Sequence, residues 1–543
     1  MCSVNSINHR SSSQFIVSSI LIVLLLCAAG VRLYHISNPP FDFATVRQYQ
    51  SAHIARDYYF HTLESIPEWR RNVAALNRER MGLLLEPRIM EHLTVYGYRI
   101  LGGEHLWFPR VLSSTFWLIG GIFLYLIARR ISSPGVALFS TAFYLFMPFS
   151  ILATRSFQPD PLMVMFLLFS IFMIVRYHED PTLSRLFCTA IVSSLAILVK
   201  PNSLFFIFGA FYSIDVFQRG IRKAIFSINI LIFSVVSLAP TISYYVYGIW
   251  SNVGYLNELA QGSFLPHLIF KSYFWKGWFI RIGNVIGYIP LAGALIGLFT
   301  VKDGRSRALL SGLWIGYGFF GMFFTMHIHT HNYYHLPFIP VVALSLVPVG
   351  LWIRDFLYKK GKIAMLVVFA VVVIAGVSIV QMASGDSNSI KKYNLKIIAD
   401  LIGINNDFKK FIVGSFEREI QIAYEIGNIV GHSTNTVILS PYFGRAIAYE
   451  GELSGLPWPI QSSLRERKER GLKPLKKDEL FNTEYLTIRT HGKYIKYTPD
   501  FFIITAFEEF EKQKDLKGFL NTNYPIIAQS EDYIIFDLRK MSG

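Results

Sequence analysis

Eleven long apolar runs dominate this chain, and about 20 apolar residues is the length an α-helix needs to cross the hydrocarbon core of a bilayer. They cover residues 15–34, 110–128, 133–153, 160–176, 186–199, 203–217, 224–247, 282–300, 308–326, 336–353 and 363–382. The first is read as an uncleaved span, because the run is long and no small-residue cleavage site follows it. The fifth and sixth are short and joined by the tight turn Lys200-Pro201-Asn202. Backbone at this depth must satisfy its own hydrogen bonds, so the runs predict helices rather than loops. Only 16% of the 543 residues are charged and 52% are hydrophobic, against about a quarter charged in soluble domains. An ordinary soluble enzyme and a disordered chain are both excluded. The three cysteines, Cys2, Cys27 and Cys188, supply no disulfide framework.

Lysine and arginine in the short loops set the orientation. With the N-terminus in the cytoplasm, the loops on that side hold 15 basic residues and the opposite short loops hold 5. An odd number of spans then leaves residues 35–109 and 383–543 outside. Loop 35–109 holds eight basic and eight acidic residues, and the tail from 383 holds 22 and 21. The net charge of +16 is therefore topological. Nucleic acid is not needed to explain it, and no basic block with interleaved aromatics suggests it.

The sequence thus divides into a membrane domain over 1–382, including the external loop 35–109, and an extracytoplasmic α/β domain over 383–543. Within the loop, "VRQYQSAHIARDYYFHTL" and "RIMEHLTVYGYRIL" predict helices. In the tail, "NTVILS", "PDFFIIT", "YPIIAQ" and "DYIIFDL" predict strands that alternate with the helical "EREIQIAYEIGNIVG" and "EEFEKQKDLKGFLN". The last two strands predict a hairpin turning near Ser530-Glu531-Asp532.

Ionisable groups beside membrane spans are costly and usually functional. Here they gather on the external side: Asp42, Arg47, His53, Arg56, Glu86, Arg155, Asp160, Lys200, His267, and the run from His327 to His335, which includes His331, Tyr333 and Tyr334. Each has a plainer reading. Asp160 before Pro161 makes an ordinary helix start. Lys200 can snorkel to the interface, Arg155 can meet a lipid headgroup, and a single loop histidine such as His53 or His267 is usually a polar surface residue. Four histidines and two tyrosines within nine residues are harder to explain by surface chemistry alone, although their spacing matches no zinc motif.

The order of these features resembles the GT-C membrane glycosyltransferases, in particular the family-39-like and RgtA/B/C/D-like bacterial branch. That group is related to the protein O-mannosyltransferases and the aminoarabinose transferases of lipid A. "PPFDFATVRQYQSAHIAR" stands where the family has its first-loop acidic motif, and "LLEPRIMEHLTVYGYRILGGEHLWFPRVLSS" is similar to its Pro-containing segment before the second span. "RSFQPDPLMVMFLL", "LVKPN" and "THNYYHLPFIPVVAL" follow in the family's order, over residues 15–380. Phe43 stands where many relatives have a second acid after Asp42. No basic residue follows Glu86 directly, unlike in the aminoarabinose transferases, so sugar specificity does not carry over.

The resemblance implies a bacterial inner-membrane enzyme with its active site on the extracytoplasmic side. It would move a hexosyl or pentosyl group from a polyprenyl-phosphate carrier to a hydroxyl on a lipid, glycan or protein. A carboxylate must take the acceptor's proton, which assigns Asp42 as base and Asp160 as second choice. Growing charge on the leaving phosphate needs donors, which assigns Arg47, Lys200, His331, Tyr333 and Tyr334. In the family's aminoarabinose transferases a glutamate and a histidine bind a metal, and the matching positions are Glu86 and His267. No Gly-rich phosphate loop is visible, so no nucleotide cofactor is expected. The competing class is a transporter or flippase for a lipid-linked saccharide. Transporters tend to carry repeated halves and midplane sites, and this chain shows neither.

Overall fold

A computed structural model describes residues 2–81, 86–251, 264–360, 414, 416–461, 463, 487–490, 493–496 and 498–539. The chain forms two compact units: Met1–Ile36, Arg110–Ser251 and Asn257–Gly414 in the first, and Ser37–Pro109, Asn252–Leu256 and Ser415–Gly543 in the second. The division differs from the one read at residue 382, because the first loop belongs to the same unit as the tail.

The first unit is helical, and every apolar run up to residue 353 falls on a helix; the run 363–382 lies outside the described residues. Five described helices are long and apolar enough to cross a bilayer: Gln14–Leu33, Trp107–Ile131, Asp160–Glu179, Ile228–Trp250 and Phe338–Phe356. A sixth span is formed if Ser272–Ile286 and Tyr288–Thr300 are counted together, although they are bent by 96°. By length and apolarity the described residues therefore give up to six spans rather than eleven. Several of the other runs make shorter helices, 13 residues in Pro134–Phe146 and 17 in Leu183–Val199. A proline at 148 separates Pro134–Phe146 from Pro148–Ala153, since proline cannot continue the preceding hydrogen-bond ladder.

Glycine fixes two features of this unit. Gly287 has φ 77° and ψ 146° at the 96° bend, a conformation that side chains with a Cβ rarely adopt. Helices Ser203–Arg219 and Gly304–Phe323 cross where Gly209 faces Gly312 and Gly316. A Cβ on Gly312 would stand 2.1 Å from the Gly209 carbonyl oxygen, and one on Gly316 would stand 2.4 Å from that of Phe205. Gly312 and Gly316 form a Gly-x-x-x-Gly pair, which lets backbones approach closely where lipid supplies no hydrophobic drive for helix association.

The second unit is built around a five-stranded sheet. Its strands are β1 (Thr436–Leu439), β2 (Gly455–Pro457), β5 (Phe501–Ile504), β6 (Ile526–Gln529) and β7 (Ile534–Asp537), in the order β2-β1-β5-β7-β6. A separate antiparallel pair joins β3 (Thr487–Thr490) to β4 (Lys493–Lys496). β1 runs parallel to β2 and β5, while β7 is antiparallel to β5 and β6. Strand β5 reads Phe-Phe-Ile-Ile without alternation because both sheet faces are covered. Phe501 and Ile503 pack with Ile426 and Ala448 from helices Glu417–Ile429 and Arg445–Glu450. Phe502 and Ile504 pack with Phe510, Leu516 and Leu520 from helices Phe507–Lys512 and Lys514–Asn523. The expected terminal hairpin is present, with the Ser530 amide donating to the Tyr533 carbonyl across its turn.

The first loop contributes helices Thr45–Phe60, Glu68–Met81 and Ile89–Leu101. Met81 joins the core beneath the sheet. Arg56 donates to both Glu104 oxygens at 3.0 Å and lies 3.4 Å from the Tyr449 ring centroid. Arg70 pairs with Glu452, and Asn77 donates to the Leu453 carbonyl at 2.9 Å. Arg47, Arg56, Arg70 and Arg78 of the loop are thus ion-paired inside this unit.

Candidate active site

In the first unit, Asp160 opens helix Asp160–Glu179 and is fully buried. Lys200 caps the C-terminus of Leu183–Val199, where the Pro201 turn ends the helix. Its ammonium donates to both Asp160 oxygens, at 2.8 and 2.9 Å. Lys200 is 5% exposed, so this is a buried ion pair rather than a snorkelling side chain. The same Nζ lies 5.3 Å from the Tyr333 ring centroid and 5.2 Å from that of Tyr334, within cation–π range. Four sequence-assigned residues therefore converge.

The histidine run divides by role. His327 stacks on Tyr334 with centroids 4.7 Å apart, and His331 lies 5.5 Å from the Tyr333 ring. Thr330 gives its hydroxyl proton to the Met326 carbonyl, so His331 Nδ1–H donates to Thr330 Oγ1 at 2.6 Å. His335 is structural. Trp278 Nε1–H donates to the Tyr317 hydroxyl at 2.8 Å, Tyr317 donates to His335 Nδ1 at 2.6 Å, and His335 Nε2–H donates to the Ile328 carbonyl at 2.9 Å. Because tryptophan can only donate and the Ile328 carbonyl can only accept, the neutral ring carries its proton on Nε2 and Nδ1 accepts from Tyr317. This chain of bonds pins the segment that carries His331, Tyr333 and Tyr334.

Arg155 meets the protein's own backbone rather than a headgroup. It is 1% exposed and donates to the carbonyls of Tyr34 at 2.7 Å and His35 at 2.8 Å. Arg110, also buried, donates to the carbonyls of Ile36 at 2.9 Å and Arg155 at 3.1 Å. These two arginines fasten the chain where the first long helix ends.

In the second unit, Asp42 is 5% exposed and immediately precedes helix Thr45–Phe60. Arg47, on that helix, donates to both Glu86 oxygens at 3.1 and 3.0 Å. About one turn further along that helix, Ser51 donates to Glu91 at 2.7 Å, and burial pushes the Glu91 carboxyl above its usual range. Nothing in the sequence distinguished Glu91 from a solvated helix carboxylate; its register against Ser51 was the missing signal. His53 Nε2–H donates to the Arg445 carbonyl at 3.0 Å, and burial lowers its pKa to about 3. It is a neutral core histidine and not the polar surface residue that a lone loop histidine suggests, because helix Thr45–Phe60 is packed on the side that carries it.

The residues assigned to a cation do not fit one as they stand. Glu86 already has both oxygens on the Arg47 guanidinium, which a metal would have to displace. His267 sits exposed on the 3₁₀ turn Pro266–Phe270. Among the described residues, no three His, Cys, Asp or Glu side chains gather as a metal site.

Residues 87–247 match the family model described as dolichyl-phosphate-mannose-protein mannosyltransferase. The fold is similar to ArnT from Cupriavidus metallidurans bound to undecaprenyl phosphate, at TM-score 0.56 and 16% identity over 95% of this chain and 98% of that one. The chain has the GT-C fold. A GT-C chain of this apolar make-up is an integral membrane protein. The oligosaccharyltransferase of Archaeoglobus fulgidus, solved with zinc and sulfate, is similar at TM-score 0.50 and 11% identity, over 93% of this GT-C chain and 71% of that one. No curated protein matches the chain in sequence.

Proposed function

We propose that the protein is a membrane glycosyltransferase that moves a sugar from a polyprenyl-phosphate carrier to a hydroxyl acceptor on the extracytoplasmic side of a bacterial inner membrane. The observation that carries this reading is the buried Lys200–Asp160 pair facing the Tyr333 and Tyr334 rings. A buried ammonium beside two phenols is suited to a lipid-borne phosphate, and it occurs in a fold whose relative holds undecaprenyl phosphate. The matching family model names a dolichyl-phosphate sugar. Both carriers are polyprenyl phosphates, which supports the donor class and leaves the sugar and acceptor open.

In the mechanism, Asp42 accepts the acceptor's hydroxyl proton as that oxygen attacks the anomeric carbon. The carbon–phosphate-oxygen bond breaks, and the phosphate leaves with the bond's electrons. Lys200, Arg47, His331 and the two tyrosine hydroxyls stabilise the growing charge. Asp160, with both oxygens on Lys200, orients that ammonium and is a positioning residue rather than the base. Glu86 does the same for Arg47. The apolar helices hold the carrier's hydrocarbon chain in bilayer.

The test is turnover of a synthetic polyprenyl-phosphate sugar by purified protein in lipid. General-base removal costs about 10²–10⁴-fold, so Asp42→Asn should lose at least that much with donor binding retained. Wild-type turnover by Asp42→Asn, with Asp160→Asn inactive, would move the base to Asp160. Donor carried across vesicles without transfer would replace the enzyme with a flippase.

A further inference from the structure

Three apolar helices of the first unit end around one cavity. Ile131 is the last residue of Trp107–Ile131, Thr300 is the last of Tyr288–Thr300, and Asp355 lies in the final turn of Phe338–Phe356. All three line a space of about 540 Å³, within the range of ligand pockets. Its walls are apolar, from Ile296, Val301, Pro348, Leu351 and Trp352. Trp352 is 72% exposed, and indole is a favoured side chain where a membrane meets water.

Local sequence shapes this space. Gly297 brings Tyr288–Thr300 against Ser345, whose carbonyl oxygen would stand 1.8 Å from a Cβ there. Four residues on, the chain leaves the helix at Val301, and Arg307 fastens that carbonyl with bonds of 3.2 and 2.8 Å. Asp303 caps the next helix, accepting from the Ser306 amide and hydroxyl at 2.7 Å each. Asp355 is held by Arg354 through bonds of 2.9 and 2.7 Å. Both carboxylates that line the cavity are thus engaged, whereas Lys302, also in its lining, has no ion pair among the described residues. Segments 129–132, 301–307 and 354–359 hold seven basic residues against two acidic ones.

We infer that this cavity binds an anionic phospholipid, with the headgroup phosphate on Lys302 and an acyl chain along Leu351 and Trp352. Position and charge together name that occupant. An apolar space at the ends of bilayer-crossing helices lies level with lipid headgroups, and a basic pocket between such helices selects a negative headgroup over a zwitterionic one. The loop charges assign this end to the cytoplasm, so the site is separate from the donor chemistry proposed for the other side and does not depend on it.

The test is lipid binding to purified, delipidated full-length protein, counted by native mass spectrometry. Phosphatidylglycerol should bind more tightly than phosphatidylcholine with the same acyl chains. Lys302→Ala should weaken the first phosphatidylglycerol about fivefold, which is what one basic side chain contributes beside an anionic lipid, and leave phosphatidylcholine unchanged. Leu351→Trp, which fills the apolar end, should weaken phosphatidylglycerol with Lys302 still in place. Lys223→Ala, in another basic loop and outside the cavity, should change neither lipid. Equal affinity for the two lipids, or a preference that survives Lys302→Ala, would overturn the inference. An equal loss in Lys223→Ala would mean diffuse attraction and overturn it too. Displacement of the lipid by the same concentration of water-soluble glycerol phosphate would show a phosphate site instead of a lipid site. If a variant fails to fold, wild-type protein is photolysed with phosphatidylglycerol carrying a diazirine in its acyl chain. Adducts should fall on the peptide containing Leu351 and Trp352, and adducts found only elsewhere would remove the site.

Discussion

Lys200 Nζ sits between the two oxygens of Asp160, at 2.8 and 2.9 Å, with both side chains almost fully withdrawn from solvent. Removing one partner of a buried pair leaves an uncompensated charge, at a cost of about 3–5 kcal/mol. Lys200→Met and Asp160→Asn should therefore each lower the thermal unfolding midpoint of the purified protein markedly. The double variant should lose less than the sum. Strict additivity in that cycle would show that the pair is not energetically coupled.

The Arg47–Glu86 contact uses one guanidinium nitrogen on both carboxylate oxygens. Charge-assisted bonds are about twice as strong as neutral ones, and a single nitrogen makes both contacts, as the Lys200 ammonium does on Asp160. Arg47→Ala should raise the donor KM, and Arg47→Lys should recover part of the loss. Glu86→Gln should shift KM in the same direction, because it loosens Arg47. Unchanged KM in all three would remove the pair from donor recognition.

The helix crossing gives a prediction about folding alone. Gly312→Val places carbon where the Gly209 carbonyl oxygen and the Ser213 hydroxyl already stand, both 2.1 Å from a Cβ. Gly318, on the same helix, has nothing within 4 Å of a Cβ. Gly312→Val should abolish monodisperse protein in detergent, while Gly318→Ala should be tolerated. Equal yields of both variants would show that the helices separate at little cost.

His53 predicts a pH dependence. Its pKa falls from 6.5 to about 3 in the folded protein, chiefly because burial disfavours the charged ring. The unfolded chain then binds the extra proton between those values, so stability is full above pH 6.5 and falls as the pH drops toward 3. Within that window the loss approaches about 1.4 kcal/mol per pH unit for one group. His53→Gln should flatten that part of the stability profile. An identical slope in wild type and variant would exclude His53 as its source. Burial raises Glu91, Glu104 and Glu450 instead, so their contribution runs the opposite way, with stability lost as the pH rises through their raised pKa values.

What the sequence determined by itself was mostly local. Apolar runs predicted helices, and the described runs are helices, because in lipid a backbone has almost no alternative. The strands and the terminal hairpin were legible because unbroken β-branched and aromatic runs bounded by turn residues leave few choices. The short motifs singled out Asp160, Lys200, Tyr333 and Tyr334 one by one along the chain.

Tertiary structure decided who meets whom. Asp160 and Lys200 are forty residues apart and carry no sequence mark of partnership. Arg155 read as a headgroup contact because a lone arginine beside a span does not reveal that carbonyls at positions 34 and 35 need donors. Pro148 breaks the run 133–153 and Gly287 bends the run 282–300, both of which composition alone shows as continuous. The first loop joined the tail's unit because Met81 completes the sheet's core, Arg70 pairs with Glu452 and Arg56 lies over the Tyr449 ring. Long-range ion pairs and core contacts have no period along the chain, so only the folded arrangement reveals them.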